Sequence, residues 1–219
     1  MTKRWHVVPC ALSALLSLAC ATNIAVDSAA NIGSSRLPGY IRGDADTKAE
    51  RVIVFVHGIF GDGRTTWTNT TTGAYFPELL TADDAFAGAS IWVHDFPSPK
   101  VAPSYSIDEL ADHLRRHLSH DNVLRNHRDV VFVAHSMGGL VVRAFLLKYR
   151  DLLAPGRVPI LYFFSTPTTG ADIASYTRLL STNPQLGDMR KMLTNRSGVL
   201  ATYDAQWSSS EYMRATRTF

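Results

Sequence analysis

Cysteine is nearly absent from this chain: its 219 residues hold two, Cys10 and Cys20, both close to the N-terminus. Beyond them no internal disulfide, thiol nucleophile or cysteine-ligated metal site can form. A basic run is also missing. The net charge is +3, and the arginines and lysines stand singly or in pairs, as at Arg115-Arg116 and Arg190-Lys191. Without a stripe or cluster of positive charge, nucleic acid is set aside as a partner. Charged residues are sparse at 19% against 46% hydrophobic, the balance of an ordinary globular protein, and the length suits one domain with a sizeable core. Histidine is missing from the whole chain after His135, an absence that bears on the chemistry below.

The N-terminus departs from this pattern. Lys3 and Arg4 precede an uncharged, mostly apolar run from Val7 to Ala19, too short to span a bilayer comfortably and laid out like a secretory signal. Two processing readings compete. Ala19-Cys20-Ala21 is an A-x-A site that releases a chain starting at Thr22, whereas Ser17-Leu18-Ala19-Cys20 resembles a bacterial lipobox with Cys20 lipidated. Either way an exported protein is expected: periplasmic, secreted or anchored at the membrane through Cys20. The division expected is a signal over 1–21, a linker and lead-in segment over 22–50, and the folded domain over 51–219.

The stretch from Val130 to Val142 carries the strongest signal. An apolar, β-branched run (Val130-Val131-Phe132-Val133) meets Ala134-His135-Ser136-Met137-Gly138-Gly139, and an apolar helical pattern follows. A strand that reverses at once into a helix needs small residues around the turn. Ala134 and Gly138 flank Ser136 at minus and plus two and leave the serine alone on a strained corner. The first position is glycine in the usual Gly-x-Ser-x-Gly form, so Ala134 adds one methyl.

Upstream, Arg51-Val52-Ile53-Val54-Phe55-Val56 reads as a strand buried on both faces, ending in His57-Gly58-Ile59-Phe60-Gly61-Asp62-Gly63. Glycines at a strand exit permit a sharp turn and close backbone approach to a ligand. Thr65 to Thr72, with Trp67, reads as a polar loop at a site entrance. Asn69-Thr70-Thr71 and Asn195-Arg196-Ser197 match glycosylation sequons and are expected to be idle behind a bacterial-style signal. A helix over Phe76–Phe86 and a strand over Ser90–Phe96, stopped by Pro97 and Pro99, come next. Ser106 and Glu109 form a capping box, behind which Ile107, Leu110, Leu114 and Leu118 mark one buried helical face. His113, His117 and His120 share that helix at spacings of four and three. Such spacing suits a metal, but with no carboxylate or cysteine cluster converging on it the better reading is solvated histidines on an exposed face. No metal and no cofactor is expected. The elbow helix then runs from Met137 to Tyr149, a strand covers Val158–Phe164, and helices over 171–180 and 185–193 complete the pattern. Alternating strands and helices argue an α/β fold with a mostly parallel sheet covered on both faces, and no strand is read after Phe164.

Phe55-Val56-His57-Gly58, the elbow around Ser136, and Ser165-Thr166-Pro167-x-x-Gly170 together resemble the serine lipase/esterase branch of the α/β-hydrolases, a three-layer sandwich. Within it they are most similar to the GPI-inositol deacylases and their bacterial relatives, where the third motif is commonly (A/S)-T-P-H-x-G and Thr168 stands in the histidine's place. The resemblance covers roughly Arg51 to Asp172. It implies Ser136 as nucleophile, the amides of Ile59 and Met137 as oxyanion donors with Phe60 as runner-up to Ile59, and a small-molecule or lipid ester as substrate. His57, Gly58, Ala134, His135 and Gly138 support the motifs, and His57 orders its turn rather than acting as base. Fold analogy does not fix the substrate.

That family orders its triad Ser, acid, His, yet none of the eight histidines follows Ser136. Asp172, Asp188 and Asp204 lie downstream, but none follows a readable strand. The expectation is therefore a C-terminally truncated sheet with its last strands missing, an unpaired edge and poor expression of the chain alone. Three function classes stay open: an exported serine esterase or lipase crippled in this form, a non-catalytic binding protein on the same scaffold, and an acyltransferase.

Overall fold

The computed structural model describes residues 37–98, 105–166 and 205–219. Its centre is a six-stranded sheet in the order β1-β3-β2-β4-β5-β6. The strands are β1 (Gly39–Arg42), β2 (Arg51–Val56), β3 (Ala89–His94), β4 (Asp129–His135), β5 (Ile160–Phe164) and β6 (Arg217–Thr218). β1 pairs antiparallel with β3, and every other pairing is parallel. Among the described residues, the helices used below are α1 (Phe76–Thr81), α2 (Ile107–His120), α3 (Val123–Asn126), α4 (Met137–Lys148) and α5 (Glu211–Ala215), and residues 205–209 are also helical.

Period-two alternation explains why the central strands read as unbroken apolar runs. Val52, Val54 and Val56 of β2 and Val130, Phe132 and Ala134 of β4 face one side, packed with Leu110, Leu114 and Leu118 of α2 and Val142, Phe145 and Leu146 of α4. Ile53, Phe55, Val131 and Val133 face the other, covered by Trp67, Tyr75, Phe76 and Leu80. Helices thus lie on both faces of the sheet, and the fold is a three-layer α/β sandwich.

Element boundaries follow local chemistry. Ser106 and Glu109 make the reciprocal capping box that starts α2, and Pro77 sits in the first turn of α1, where its missing N–H costs nothing. The helix read over Phe76–Phe86 is divided: α1 ends at Thr81, and a separate 3-10 turn, capped by the Asp83 carboxylate, covers Asp84–Phe86. Two strands go beyond those expected from the sequence. β1 is four half-buried residues whose Arg42 side chain hydrogen-bonds the carbonyls of Thr81, Phe86 and Ala89. At the opposite edge, the sheet does not stop at β5. The N–H of Phe219 donates to Leu161 O at 3.0 Å and Phe163 N–H donates to Phe219 O at 2.9 Å, which aligns β6 beside β5. This corrects the expectation of no strand after Phe164. The strand is too short for any period to reveal it.

The N-terminal signal and Cys20, the helices expected over 171–180 and 185–193, Asp172, Asp188, Asp204, Asn195 and Pro167 to Gly170 all lie outside the described residues. Among the described residues no helix is long and apolar enough to cross a membrane.

Candidate active site

Strand β4 hands the chain to helix α4 through one residue, Ser136, whose backbone sits at φ 54° and ψ −126°. This non-glycine conformation costs about 1–3 kcal/mol and persists only where its surroundings over-determine it. They do so here. Ser136 N–H donates to Phe164 O at 2.8 Å, and Ser136 O accepts from Gly139 N–H at 3.1 Å as the helix begins. The serine is 3% exposed.

The glycines around the corner are required by close approach. A β-carbon on Gly58 would lie 2.7 Å from Ser136 Cβ and 2.9 Å from His135 O. One on Gly138 would lie 2.5 Å from Val56 O and nearer still to His57 O. One on Gly139 would fall 2.5 Å from Thr166 Cγ2. The three separated motifs of the sequence are therefore one packed junction, in which the His57-Gly58 turn lies against the elbow and Thr166 lies against its helix. Ala134 needs no such freedom. It is an ordinary strand residue whose methyl is wholly buried in the core on the α2 and α4 side.

His57 is fully buried and stacked on Phe96, with ring centroids 3.8 Å apart. Its Nδ1 lies 2.8 Å from Gly58 O, and its Nε2 accepts the Phe96 N–H at 3.1 Å. The two bonds together assign the neutral tautomer with the proton on Nδ1, because a backbone N–H can only donate. Asp95 Oδ1 lies 3.3 Å from Nε2, and that contact holds the Asp95 carboxyl below its usual range. Both nitrogens are engaged, so the ring orders the turn and has no lone pair to offer Ser136.

The loop beyond is held from the end of β3. Phe60 has φ 60°, and its N–H donates to Ser98 Oγ at 2.7 Å. Gly61 N–H closes a turn onto Gly58 O at 3.3 Å, and Gly63 N–H donates to Asp95 Oδ1 at 2.9 Å. Ile59 N–H donates to no described residue. Asp95, Phe96 and Ser98 are not singled out by the sequence. The only signal near them is the pair of prolines at 97 and 99, which by itself marks no more than the end of a strand.

His135 lines a cavity of about 390 Å³ together with Trp67, Phe76, Leu79, Phe164 and Ser165. Burial holds its imidazole below the usual histidine range. The Trp67 loop, expected at a site entrance, is partly a 3-10 turn. Its indole is buried, edge-on to Phe55 and Phe164, with Nε1 unpartnered among the described residues.

The three histidines of α2 separate. His120 is exposed and hydrogen-bonds Asp121 at 2.8 Å. His113 and His117 instead turn inward to the fully buried His94, with His113 Nδ1 3.4 Å from His94 Nε2 and His117 Nε2 3.3 Å from His113 Nε2. This corrects the reading of all three as solvated. They lie on the flank of the leucine face, and His94, from another element, completes the group. Burial, reinforced by the neighbouring rings, holds His94 far below the usual range, and burial brings His113 to about 4. Among the described residues no group of three His, Cys, Asp or Glu is arranged to hold a metal ion.

Among solved structures, phospholipase PlaB from Legionella pneumophila is similar at 16% identity, with a TM-score of 0.56 over 77% of this chain and 38% of that one. The mature lipase BlEst2 of Bacillus licheniformis is 18% identical, with a TM-score of 0.47 over 79% of this chain and 65% of that one. The chain thus spans less than two thirds of either, and at 16% identity the likeness to PlaB is one of fold. No curated protein matches the chain. The family model described as "Alpha/beta hydrolase family" matches residues 53–218.

Proposed function

The chain belongs to the alpha/beta hydrolase family, and from that premise we propose that it is a serine hydrolase of carboxylic esters, lipase- or esterase-like, with Ser136 as nucleophile. The observation that carries this reading is the elbow itself. A strained serine at φ 54° stands on a strand-to-helix corner and is packed against a His-Gly turn whose glycine admits no side chain.

In this mechanism Ser136 Oγ attacks the ester carbonyl. The carbon–oxygen bond forms as the serine proton leaves to a general base, and the charge that develops on the carbonyl oxygen is met by the backbone N–H groups of Ile59 and Met137. Collapse of the tetrahedral species expels the alcohol, and water then releases the acid from the acyl-enzyme. Ile59 is favoured over Phe60 because the Phe60 N–H is already given to Ser98. One such donor is worth about 2.7–4 kcal/mol of barrier. The cavity beside His135, floored by Trp67, Phe76 and Phe164, is the place for an uncharged acyl group. The GPI-inositol-deacylase-like branch is the subfamily proposed from the three motifs, and export with Cys20 as a lipid anchor is proposed from the N-terminal sequence alone.

Four of the described histidines are occupied away from the elbow serine. His57 is committed on both nitrogens, and His94, His113 and His117 are engaged with one another on α2 and β3. That observation favours a second reading, a non-catalytic binding protein on the hydrolase scaffold. Hydrolysis of p-nitrophenyl acetate, butyrate and longer esters, compared between the native chain and Ser136→Ala, separates the two. Turnover that depends on Ser136 supports the enzyme; equal background rates in both proteins support the binding reading.

A further inference from the structure

We propose that Ser98, immediately beyond β3, is a positioning residue that holds the oxyanion loop in register with the elbow. The inference rests on the serine-hydrolase reading of Ser136. Residues Gly58 to Gly61 form a tight turn, closed by Gly61 N–H on Gly58 O at 3.3 Å. Its third residue, Phe60, sits at φ 60°, in the left-handed region where such turns ordinarily place glycine or asparagine. Phenylalanine brings no tolerance of that conformation, so the turn must be held from outside.

The hold comes from residues 95–98, at three points. Ser98 Oγ accepts the Phe60 N–H at 2.7 Å, Asp95 Oδ1 accepts the Gly63 N–H at 2.9 Å, and Phe96 gives its N–H to His57 Nε2 at 3.1 Å while stacking on that ring. Of the three, the Ser98 bond acts on the loop's apex. It fixes the peptide plane that joins Ile59 to Phe60 and thereby restricts the rotation of Ile59. It also engages the one neighbouring amide that competes with Ile59 for an oxyanion. Pro97 stiffens the backbone that delivers the hydroxyl. Ser98 touches neither the reacting serine nor a substrate among the described contacts; it works through Phe60.

The test compares native chain, Ser98→Ala and Ser98→Thr by the second-order rate of fluorophosphonate labelling at Ser136 and by hydrogen exchange at the Phe60 amide. Alanine should slow labelling by about ten- to a hundredfold, the scale of loss from a slightly misplaced catalytic group. It should also speed Phe60 exchange, and threonine, which keeps the hydroxyl, should restore both. A Ser98→Ala chain labelled at the native rate overturns the positioning role and leaves the nucleophile intact. Slowed labelling with unchanged Phe60 exchange, or with no rescue by threonine, overturns it as well. A native chain that takes no label overturns the reading of Ser136, and the positioning role falls with it.

Discussion

His57 and His94 are both fully buried, yet they are built into the molecule in opposite ways. His57 is satisfied on both nitrogens by backbone groups and sits in a junction made of backbone packed on backbone. His94 meets two other imidazoles, has Nδ1 unpartnered among the described residues, and sits where side chains of β3 and α2 happen to converge. The first arrangement fixes geometry. The second makes the stability of the sheet–helix contact depend on protonation.

The largest effect should come from the packing around His94. Trp92 is completely buried, stacks on His94 with centroids 5.6 Å apart, and donates to Asp121 Oδ2 at 2.7 Å. Trp92→Ala should cost about 3–5 kcal/mol in urea unfolding. A loss below about 1 kcal/mol would mean that the β3–α2 contact is not integral to the fold.

Next in size is a change confined to the junction. Gly138→Ala places a methyl against the carbonyls of Val56 and His57, which cannot rotate away, so it should destabilise by about 1–3 kcal/mol and impair any chemistry at Ser136. Gly156, where an added β-carbon meets nothing within 4 Å, is the control and should tolerate alanine.

The pH prediction isolates the other region. His94, His113 and His117 bind protons less readily folded than unfolded. The unfolded chain therefore holds more protons over the window between their folded values, about 4 for His113, and the ordinary histidine value of 6.5. Stability from this source is complete above that ordinary value and is lost as pH falls below it. The groups around the cluster include Arg116, which opposes protonation, and Asp95 and Asp121, which favour it. His127, buried against Ser90, and His135 shift in the same direction. Thermal melting should therefore drop between pH 7 and pH 5, and His113→Leu should flatten that slope. A melting temperature that rises on acidification would contradict the buried neutral cluster.

The smallest effect tests how α2 is anchored. Ser106→Ala removes the hydroxyl that accepts Glu109 N–H and should cost about 1 kcal/mol. It should leave the elbow region unperturbed by amide exchange.

The same contrast explains how much of the fold and of the site is legible in the residues alone. The junction is legible because backbone crowding leaves its mark in residue type: Gly58, Gly138 and the apolar runs into them announce a close approach wherever they lie in sequence. The alternating burial of β2 and β4 is legible for the same local reason. The His94 cluster is not, since nothing in the spacing of His113 and His117 says which face meets a strand 19 residues away in sequence. Ser98 and Asp95 carry no signal of their own, because a serine or aspartate after a strand is ordinary until the loop it holds is known. β1 and β6 are equally silent, because an edge strand of four or two residues carries no usable period.

The most direct test of the account is mass-spectrometric mapping of a fluorophosphonate adduct on the folded native chain and on Ser136→Ala. The prediction is a single adduct on the peptide containing Ser136, absent from the variant. A native chain that stays unmodified, or that carries its adduct on any other residue, would contradict the assignment of the elbow serine as a nucleophile.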